Sequence, residues 1–309
     1  MADFSFFRTG RFWKKVGIIL TGVLLLLLVG LYYYLSPRFN EPLVTAILFH
    51  KNHRAEHEPE MKVLSDVKME EVSIPCNGAV INALFYRKPG TPDVILMSHG
   101  NASDVDNRIE KIRLMLDSGI SVLAYDYKGY GRSTGEPSIQ GVIDDGVAAY
   151  DFLIDEKKYT PKNIVFYGES VGTGVSTEVA RKRECKAIIL ESGFTSPEQR
   201  AKEKIPILHM YPSFLMMEPR MDNLDYAKGK HPPLLLFAGK QDTLIPPHHS
   251  ETIFAQATEP KQLIIGPNSS HNDFAKDWEL YKNGLQTFLR NNATLAEGVK
   301  KEAASPTQD

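Results

Sequence analysis

Cysteine is scarce in this sequence: Cys76 and Cys185 are the only two in 309 residues, far apart and without metal-type spacing. Two cysteines cannot build the disulfide framework of a small secreted scaffold, and they offer no zinc-ligand pattern. Both are expected as small buried apolar residues. An excess of charge is also missing, since 36 Lys and Arg face 38 Asp and Glu for a formal net charge of −2. Without a broad positive field, nucleic acid is not an expected partner. The glycine-rich segment from Asp126 to Ser133 lacks both Gly-Lys-Ser and Gly-x-Gly-x-x-Gly spacing. It is expected as a structural turn and not as a nucleotide loop. No internal repeat is visible.

What the sequence does have is one long apolar run. Val16 to Leu35 is 20 residues without a charge, including the block Leu24 to Leu28. As a helix rising about 1.5 Å per residue it spans about 30 Å, the thickness of a bilayer's hydrocarbon core. Tyr32, Tyr33 and Tyr34 close the run, where aromatic rings favour the interface. A cleaved signal peptide would have a shorter apolar region ending in small residues, so an uncleaved anchor at 16–35 is expected. Residues 1–15 form a basic N-terminus with Arg8, Arg11, Lys14 and Lys15, while Arg38 is the only positive charge soon after the run. The positive-inside rule places that N-terminus in the cytoplasm and the remaining chain across the membrane, a single-pass type II topology.

Residues 36–70 read as a connector broken by Pro37, Pro42 and Pro59. Within it, apolar Leu43 to Phe49 is expected to lie either on the bilayer or on the following domain. The stretch from His50 to Glu60 is polar and charged. At the other end, residues 291–309 are small, polar and charged and are expected to be disordered.

Between these ends, 71–290, strand-like and helix-like segments alternate. Glu71–Pro75 and Ala79–Tyr86 suggest an antiparallel pair turned at Asn77 and Gly78. Apolar runs follow at Val94–Met97, Ser121–Tyr125, Ile164–Tyr167, Ala187–Leu190, Pro233–Phe237 and Leu263–Ile265, each with the character of a strand buried on both faces. Helical stripes fill the gaps: Val105, Ile109, Ile112 and Leu116, then Ile139, Ile143, Val147, Tyr150 and Leu153 behind a Ser138 cap, and finally Phe274, Trp278, Tyr281, Leu285 and Phe288. The expected fold class is α/β, a mostly parallel eight-stranded sheet flanked by helices on both faces and preceded by one transmembrane helix. Reactive groups in such sheets collect at the carboxyl ends of the strands.

Gly168-Glu169-Ser170-Val171-Gly172 follows the Ile164–Tyr167 strand and opens a helix through Val175 and Val179. A serine on that sharp strand-to-helix turn exposes its hydroxyl above the sheet, so Ser170 is the candidate nucleophile. A hydroxyl attacks weakly until a base takes its proton, and the base needs an orienting carboxylate. Asp242 and His271 lie just past later strands, in the order serine, acid, histidine. Glu191 also ends a strand and is the runner-up acid. His99 is expected to organise its loop, and His248 and His249 to form a surface turn after Pro246 and Pro247. The oxyanion of acyl transfer needs two N–H donors. The amides of Val171 and of Asn101, in the loop after Val94–Met97, are the candidates.

From about Val72 to Phe288 the chain resembles the α/β-hydrolase superfamily, and within it the membrane-anchored α/β-hydrolase domain-containing protein 13 group, more loosely the protein 17 depalmitoylases. His99 to Ala102, Tyr125 to Ser133, Gly168 to Gly172, Glu191 to Ser196 and His271 to Asp273 carry the resemblance. It implies Ser170, Asp242 and His271 as the triad, with Asn101 and Val171 as oxyanion donors. The chain has a hydrophobic span where the protein 17 type has a cysteine-rich N-terminus, and so stands nearer to type 13.

A short insertion, about 197–231, holds apolar Ile205 to Met217. Phe214, Leu215, Met216 and Met217 are candidate acyl-binding residues, with ordinary packing over the sheet edge as the alternative. The expected function is a membrane-anchored serine hydrolase cleaving carboxylic esters or thioesters, with a small-molecule or lipid substrate. The alternatives are a serine peptidase or aminopeptidase on the same triad and a non-catalytic membrane scaffold. No metal or cofactor is expected, because amide donors replace a Lewis acid. Sealed membrane vesicles test the orientation: the C-terminal domain should resist protease added on the cytoplasmic side, and digestion from that side would refute type II topology.

Overall fold

Short apolar runs bounded by glycine, proline and polar turns become strands here because their side chains find packing on both faces of one sheet. The computed structural model describes residues 10–49, 52–53, 67–101, 104–271 and 273–293. Its main sheet has eight strands: β1 (Lys68–Cys76), β2 (Ala79–Arg87), β3 (Val94–Ser98), β4 (Ser121–Tyr125), β5 (Ile164–Glu169), β6 (Ala187–Glu191), β7 (Leu234–Gly239) and β8 (Lys261–Gly266). Their spatial order is β8-β7-β6-β5-β3-β4-β2-β1. Only β2 runs against the others. The β1–β2 hairpin turns at Asn77 and Gly78, both at positive φ, which Asn and Gly tolerate best.

Side-chain alternation divides the core into two layers. Val94, Leu96, Phe166 and Ile188 face one side with helices α4 (Ile139–Asp155) and α5 (Val171–Lys182). Ile95, Met97, Val165 and Ile189 face the other, with α3 (Ile109–Asp117) and α9 (Trp278–Asn292). The Ser138 cap is real, its hydroxyl accepting the Gly141 N–H at 2.9 Å. Val105 opens a 3₁₀ turn ahead of α3 and does not extend the α-helix itself.

Two helices precede the sheet. α1 (Gly10–Tyr34) is long and apolar enough to cross a bilayer, and its apolar side chains are exposed. α2 (Glu41–Leu48) turns Val44, Leu48 and Phe49 onto the domain's core, which decides where Leu43 to Phe49 lies. Leu43 itself points outward. The insertion contributes α6 (Pro197–Lys204) and α7 (Asn223–Lys228), with two 3₁₀ turns between them. α8 (His248–Gln256) begins where a surface turn was expected, and the first turn of that helix buries His249 while leaving His248 exposed. α9 runs through Asn292, into the segment expected as a disordered tail, and residues 294–309 lie outside the described residues. Most of the polar stretch from His50 to Glu60 lies outside them as well. Neither cysteine forms a disulfide; Cys76 is buried and Cys185 is half-buried against the core.

The strand order reverses between β3 and β5, since β4 follows β3 in sequence but sits on its far side. Loops leaving adjacent strands at such a point diverge and leave a crevice at the carboxyl edge. Ser98 and Gly168 are paired in register at that edge, and Gly239 and Gly266 are paired further along it.

Candidate active site

The turn from β5 into α5 forces Ser170 to φ 54° and ψ −116°, a conformation that costs a non-glycine residue about 1–3 kcal/mol. Two glycines make this turn possible. A Cβ at Gly168 would lie 2.4 Å from the Gly172 carbonyl oxygen, and one at Gly172 would lie 2.1 Å from that of Ser98. The helix start is thereby pressed onto the end of β3, and Ser170 N–H donates to the Glu191 carbonyl at 2.9 Å.

The acid and the histidine come from neighbouring strand ends. Asp242 is buried past β7; its Oδ1 accepts the N–H groups of Leu244 and Ile245, both at 2.8 Å. That leaves Oδ2 for His271 Nδ1 at 2.7 Å. His271 Nε2 faces Ser170 Oγ at 3.1 Å. An imidazole with Nδ1–H directed at a carboxylate presents its Nε2 lone pair to the hydroxyl. The histidine loop is itself held tightly: a Cβ at Gly239 would lie 2.5 Å from the carbonyl oxygens of Ser269 and Ser270. Asp277 accepts from Ser269 Oγ at 2.6 Å and from Asn268 N–H at 2.8 Å. Ser170, Asp242 and His271 are 72 and 29 residues apart along the chain and meet within hydrogen-bonding reach.

Asn101 follows β3, and its side-chain oxygen accepts the Tyr130 hydroxyl at 2.6 Å. Contact of Gly172 with Ser98 and His99 brings this loop against the α5 start that carries Val171. His99 is buried between Tyr127 and Tyr130, its Nδ1 on the Gly100 carbonyl at 2.6 Å. Burial, reinforced by the Arg108 cation, lowers its pKa to about 4, so the ring is neutral and organises the loop. The Asp126–Ser133 turn packs its two buried tyrosines, Tyr127 and Tyr130, with Tyr125. Gly131, at φ 48°, leaves no room for a Cβ beside the Asp126 carboxyl. Burial pushes that carboxyl up to about 7, although it accepts the Val105 N–H at 2.9 Å.

Sequence reasoning passed over the groups beneath the elbow. Glu169, buried beside Ser170, is paired with Arg108 at 2.8 Å and with Lys111 at 2.6 Å. Lys111 also reaches Glu191 at 2.7 Å, and Glu191 takes the hydroxyls of Tyr167 and Tyr281. The runner-up acid is therefore committed to this network and not to His271. Burial alone would raise Glu169, but Lys111 and Arg108 outweigh it and hold the carboxyl at about 2. Burial would lower Lys111, and its two carboxylates more than offset that. Lys111 lies off the apolar stripe of α3, and no local pattern marked it.

The four candidate acyl-binding residues do not form one surface. Phe214 is exposed, and Leu215 and Met216 pack with Tyr211 against Tyr32 and Leu208. Met217 lines a cavity of about 380 Å³ under the insertion, with Thr195, Glu203 and His249, and none of Ser170, Asp242 or His271 borders it. Glu203, His248 and His249 bring three potential metal ligands within 4.8 Å of one another. However, Thr195 N–H donates to His249 Nδ1 at 3.3 Å, which leaves the ring proton on Nε2, directed at Glu203 at 3.1 Å. A protonated nitrogen has no lone pair for a metal, so this is a hydrogen-bonded imidazole–carboxylate pair.

An open, mostly parallel sheet with a strained serine at its switch point defines an α/β-hydrolase. The family model described as "Serine aminopeptidase, S33" matches residues 91–215. The uncharacterized protein Rv2307c of Mycobacterium tuberculosis is 32% identical over 209 residues, which cover 67% of this chain and 73% of that protein. Alpha/beta hydrolase domain-containing protein 17C of Xenopus tropicalis is 28% identical over 243 residues, covering 78% of this chain and 74% of its own. Among solved structures, the Pyrococcus furiosus esterase Pf2001 superposes with a TM-score of 0.66 at 19% identity, over 80% of this chain and 99% of the esterase. The Vibrio vulnificus alpha-beta hydrolase gives 0.64 at 18%, over 80% and 94%. The chain belongs to the α/β-hydrolase family and is a hydrolase.

The ion network under the elbow gives a pH-dependent prediction. Because Glu169 is held near 2, its contribution to stability is present above its ordinary value of 4.5 and fades as pH falls towards 2. Lys111→Met takes the lysine from Glu191 and leaves Glu169 with Arg108 alone, and should cost about 3–5 kcal/mol at neutral pH. Denaturant unfolding should show this gap narrowing as the pH is lowered and Glu169 takes up a proton. A gap independent of pH would contradict the pairing.

Proposed function

We propose that the protein is a membrane-anchored serine hydrolase that cleaves carboxylic esters or thioesters through an acyl-Ser170 intermediate. One observation carries the reading: Asp242, His271 and Ser170 are linked at 2.7 Å and 3.1 Å, with the other Asp242 oxygen already occupied by backbone N–H groups. Ser170 Oγ attacks the substrate carbonyl carbon while His271 Nε2 takes the hydroxyl proton, and the Asp242 carboxylate stabilises the imidazolium formed. The oxyanion accepts from the amides of Asn101 and Val171, placed at the β3 loop and at the positive end of α5. Collapse breaks the bond to the leaving alkoxide or thiolate, which takes the proton from Nε2. Water, deprotonated by the same nitrogen, then attacks the acyl-serine; the acyl C–Oγ bond breaks, Oγ takes the proton back from Nε2, and the acid leaves as a carboxylate with its proton lost to solvent.

The exposed apolar length of α1 supports the anchor, and the basic residues ahead of it support a cytoplasmic N-terminus with the catalytic domain on the opposite side. A peptidase is the less favoured second reading: acyl transfer to an amide would use the same three side chains, and the matched family model carries an aminopeptidase description, but the solved structures that the chain resembles include esterases.

A fluorophosphonate probe tests the nucleophile. Wild-type protein should be labelled and Ser170→Ala should not, while Asp242→Asn should lower kcat by about 10⁴, as expected when the histidine loses its tautomer. Folded wild-type protein that takes no label would favour a non-catalytic scaffold. A panel of esters, thioesters and peptides with graded acyl lengths should show turnover of esters or thioesters; turnover of peptides alone would establish the second reading.

A further inference from the structure

The insertion is fastened to the end of α1. Tyr32, in the last turn of that helix, stacks on Tyr211 with ring centroids 4.9 Å apart and donates its hydroxyl to the Met210 carbonyl at 2.7 Å. Four residues beyond the helix, Arg38 N–H donates to the Leu215 carbonyl at 2.9 Å, and its guanidinium lies 3.4 Å from Glu218. The depth of the insertion is therefore fixed by the helix. If Tyr32 lies at the bilayer interface, where a tyrosine closing an apolar span belongs, then Met210 and Tyr211 lie there too.

The side chains flanking this joint face outward and are apolar. Ile205 is 41% exposed, Ile207 68%, Met210 51% and Phe214 61%. A soluble surface rarely groups large apolar residues in this way without something to cover them. The insertion also reaches the acid loop: Arg200 of α6 donates to the Leu244 carbonyl at 2.6 Å, and Leu244, itself 50% exposed, belongs to the loop that holds Asp242. The insertion is thereby tied on one side to the anchor and on the other, through Arg200, to the acid loop.

The geometry points to the segment Ile205–Phe214 as a bilayer-seated face that dips into the lipid interface beside α1 and delivers membrane-dissolved acyl substrates to the triad. This rests on the reading of α1 as a span and of Ser170 as the nucleophile. The occupant is lipid because α1, exposed along its apolar length, leads directly into the patch; the substrate class that follows is a long-chain ester or thioester already partitioned into the membrane. It also gives Phe214 a use that an acyl pocket does not, since Phe214 is exposed where Leu215 and Met216 are buried.

The test uses the full chain reconstituted in phosphatidylcholine vesicles, with a nitroxide on Ile207→Cys and, as control, on exposed Val80→Cys in the β1–β2 hairpin. Cys76 is buried with its thiol pushed up to about 11, and burial raises Cys185 further, so neither competes well for a thiolate-dependent label. Spin relaxation should show the 207 label colliding with oxygen in preference to an aqueous nickel chelate, and the 80 label the reverse. In parallel, the triple variant Ile205→Asn, Ile207→Asn, Met210→Asn should hydrolyse a long-chain ester dissolved in the vesicles about tenfold more slowly, some 1.4 kcal/mol in barrier, while turning over a water-soluble butyrate ester at the wild-type rate. A 207 label open to nickel, or shielded from both relaxants as a protein partner would shield it, overturns the proposal. Equal loss on both esters overturns the delivery role. Failure of the wild type on both esters, with the 207 label still in lipid, removes the enzyme reading and leaves the bilayer seat; release of the protein by carbonate wash removes the anchor and the seat together.

Discussion

Everything at the candidate active site depends on one strained turn. Ser170 sits at φ 54° because the chain must leave β5 and enter α5 without a gap, and because Gly172 lies where any side chain would strike the Ser98 carbonyl. Strain of this kind persists only where the surroundings over-determine it. Here the surroundings are the β3 end pressed against Gly172, the Glu191 carbonyl holding Ser170 N–H, and the ion network of Glu169, Lys111, Arg108 and Glu191 beneath. The same close approach that strains the serine sets the loop of Asn101 beside the amide of Val171. Position of the hydroxyl and position of the proposed oxyanion donors are one structural fact.

Two kinds of electrostatics operate within a few residues of each other. Under the elbow, buried charges are paired so that Glu169 stays ionised and does nothing but hold its neighbours. Above it, Asp242 keeps a single oxygen for His271, the arrangement that lets a carboxylate orient an imidazole without competing for the proton. The difference lies in partners: two cations fix the first, two backbone N–H groups fix the second. Glu191 ends a strand just as promisingly as any catalytic acid, and its partners alone exclude it.

The strands, the two-layer core and the meeting of Ser170, Asp242 and His271 were legible in the sequence because each left a local mark. Apolar runs of strand length, the glycine spacing around Ser170, and polar loops just past Phe237 and Ile265 are short-range signals of long-range structure. What escaped notice was set by partners distant in sequence. Lys111 reads as an ordinary helical lysine until β5 and β6 bring two carboxylates to it. His249 reads as a turn residue until α8 buries it against Thr195. Leu215 and Met216 read as acyl-binding residues or as packing over the sheet edge, and they pack with Tyr211 against Tyr32, about 180 residues earlier, a pairing no local pattern announces.

The central claim is that the Ser170 hydroxyl is made reactive by this turn and this histidine. The most direct measurement is an acid quench during turnover of an activated ester, followed by mass spectrometry of the proteolytic peptides. The account predicts one acyl group in place of one proton on the peptide carrying Ser170, formed before the steady state and absent from His271→Ala. Steady turnover with no acyl adduct, or with the adduct on another residue, would contradict it.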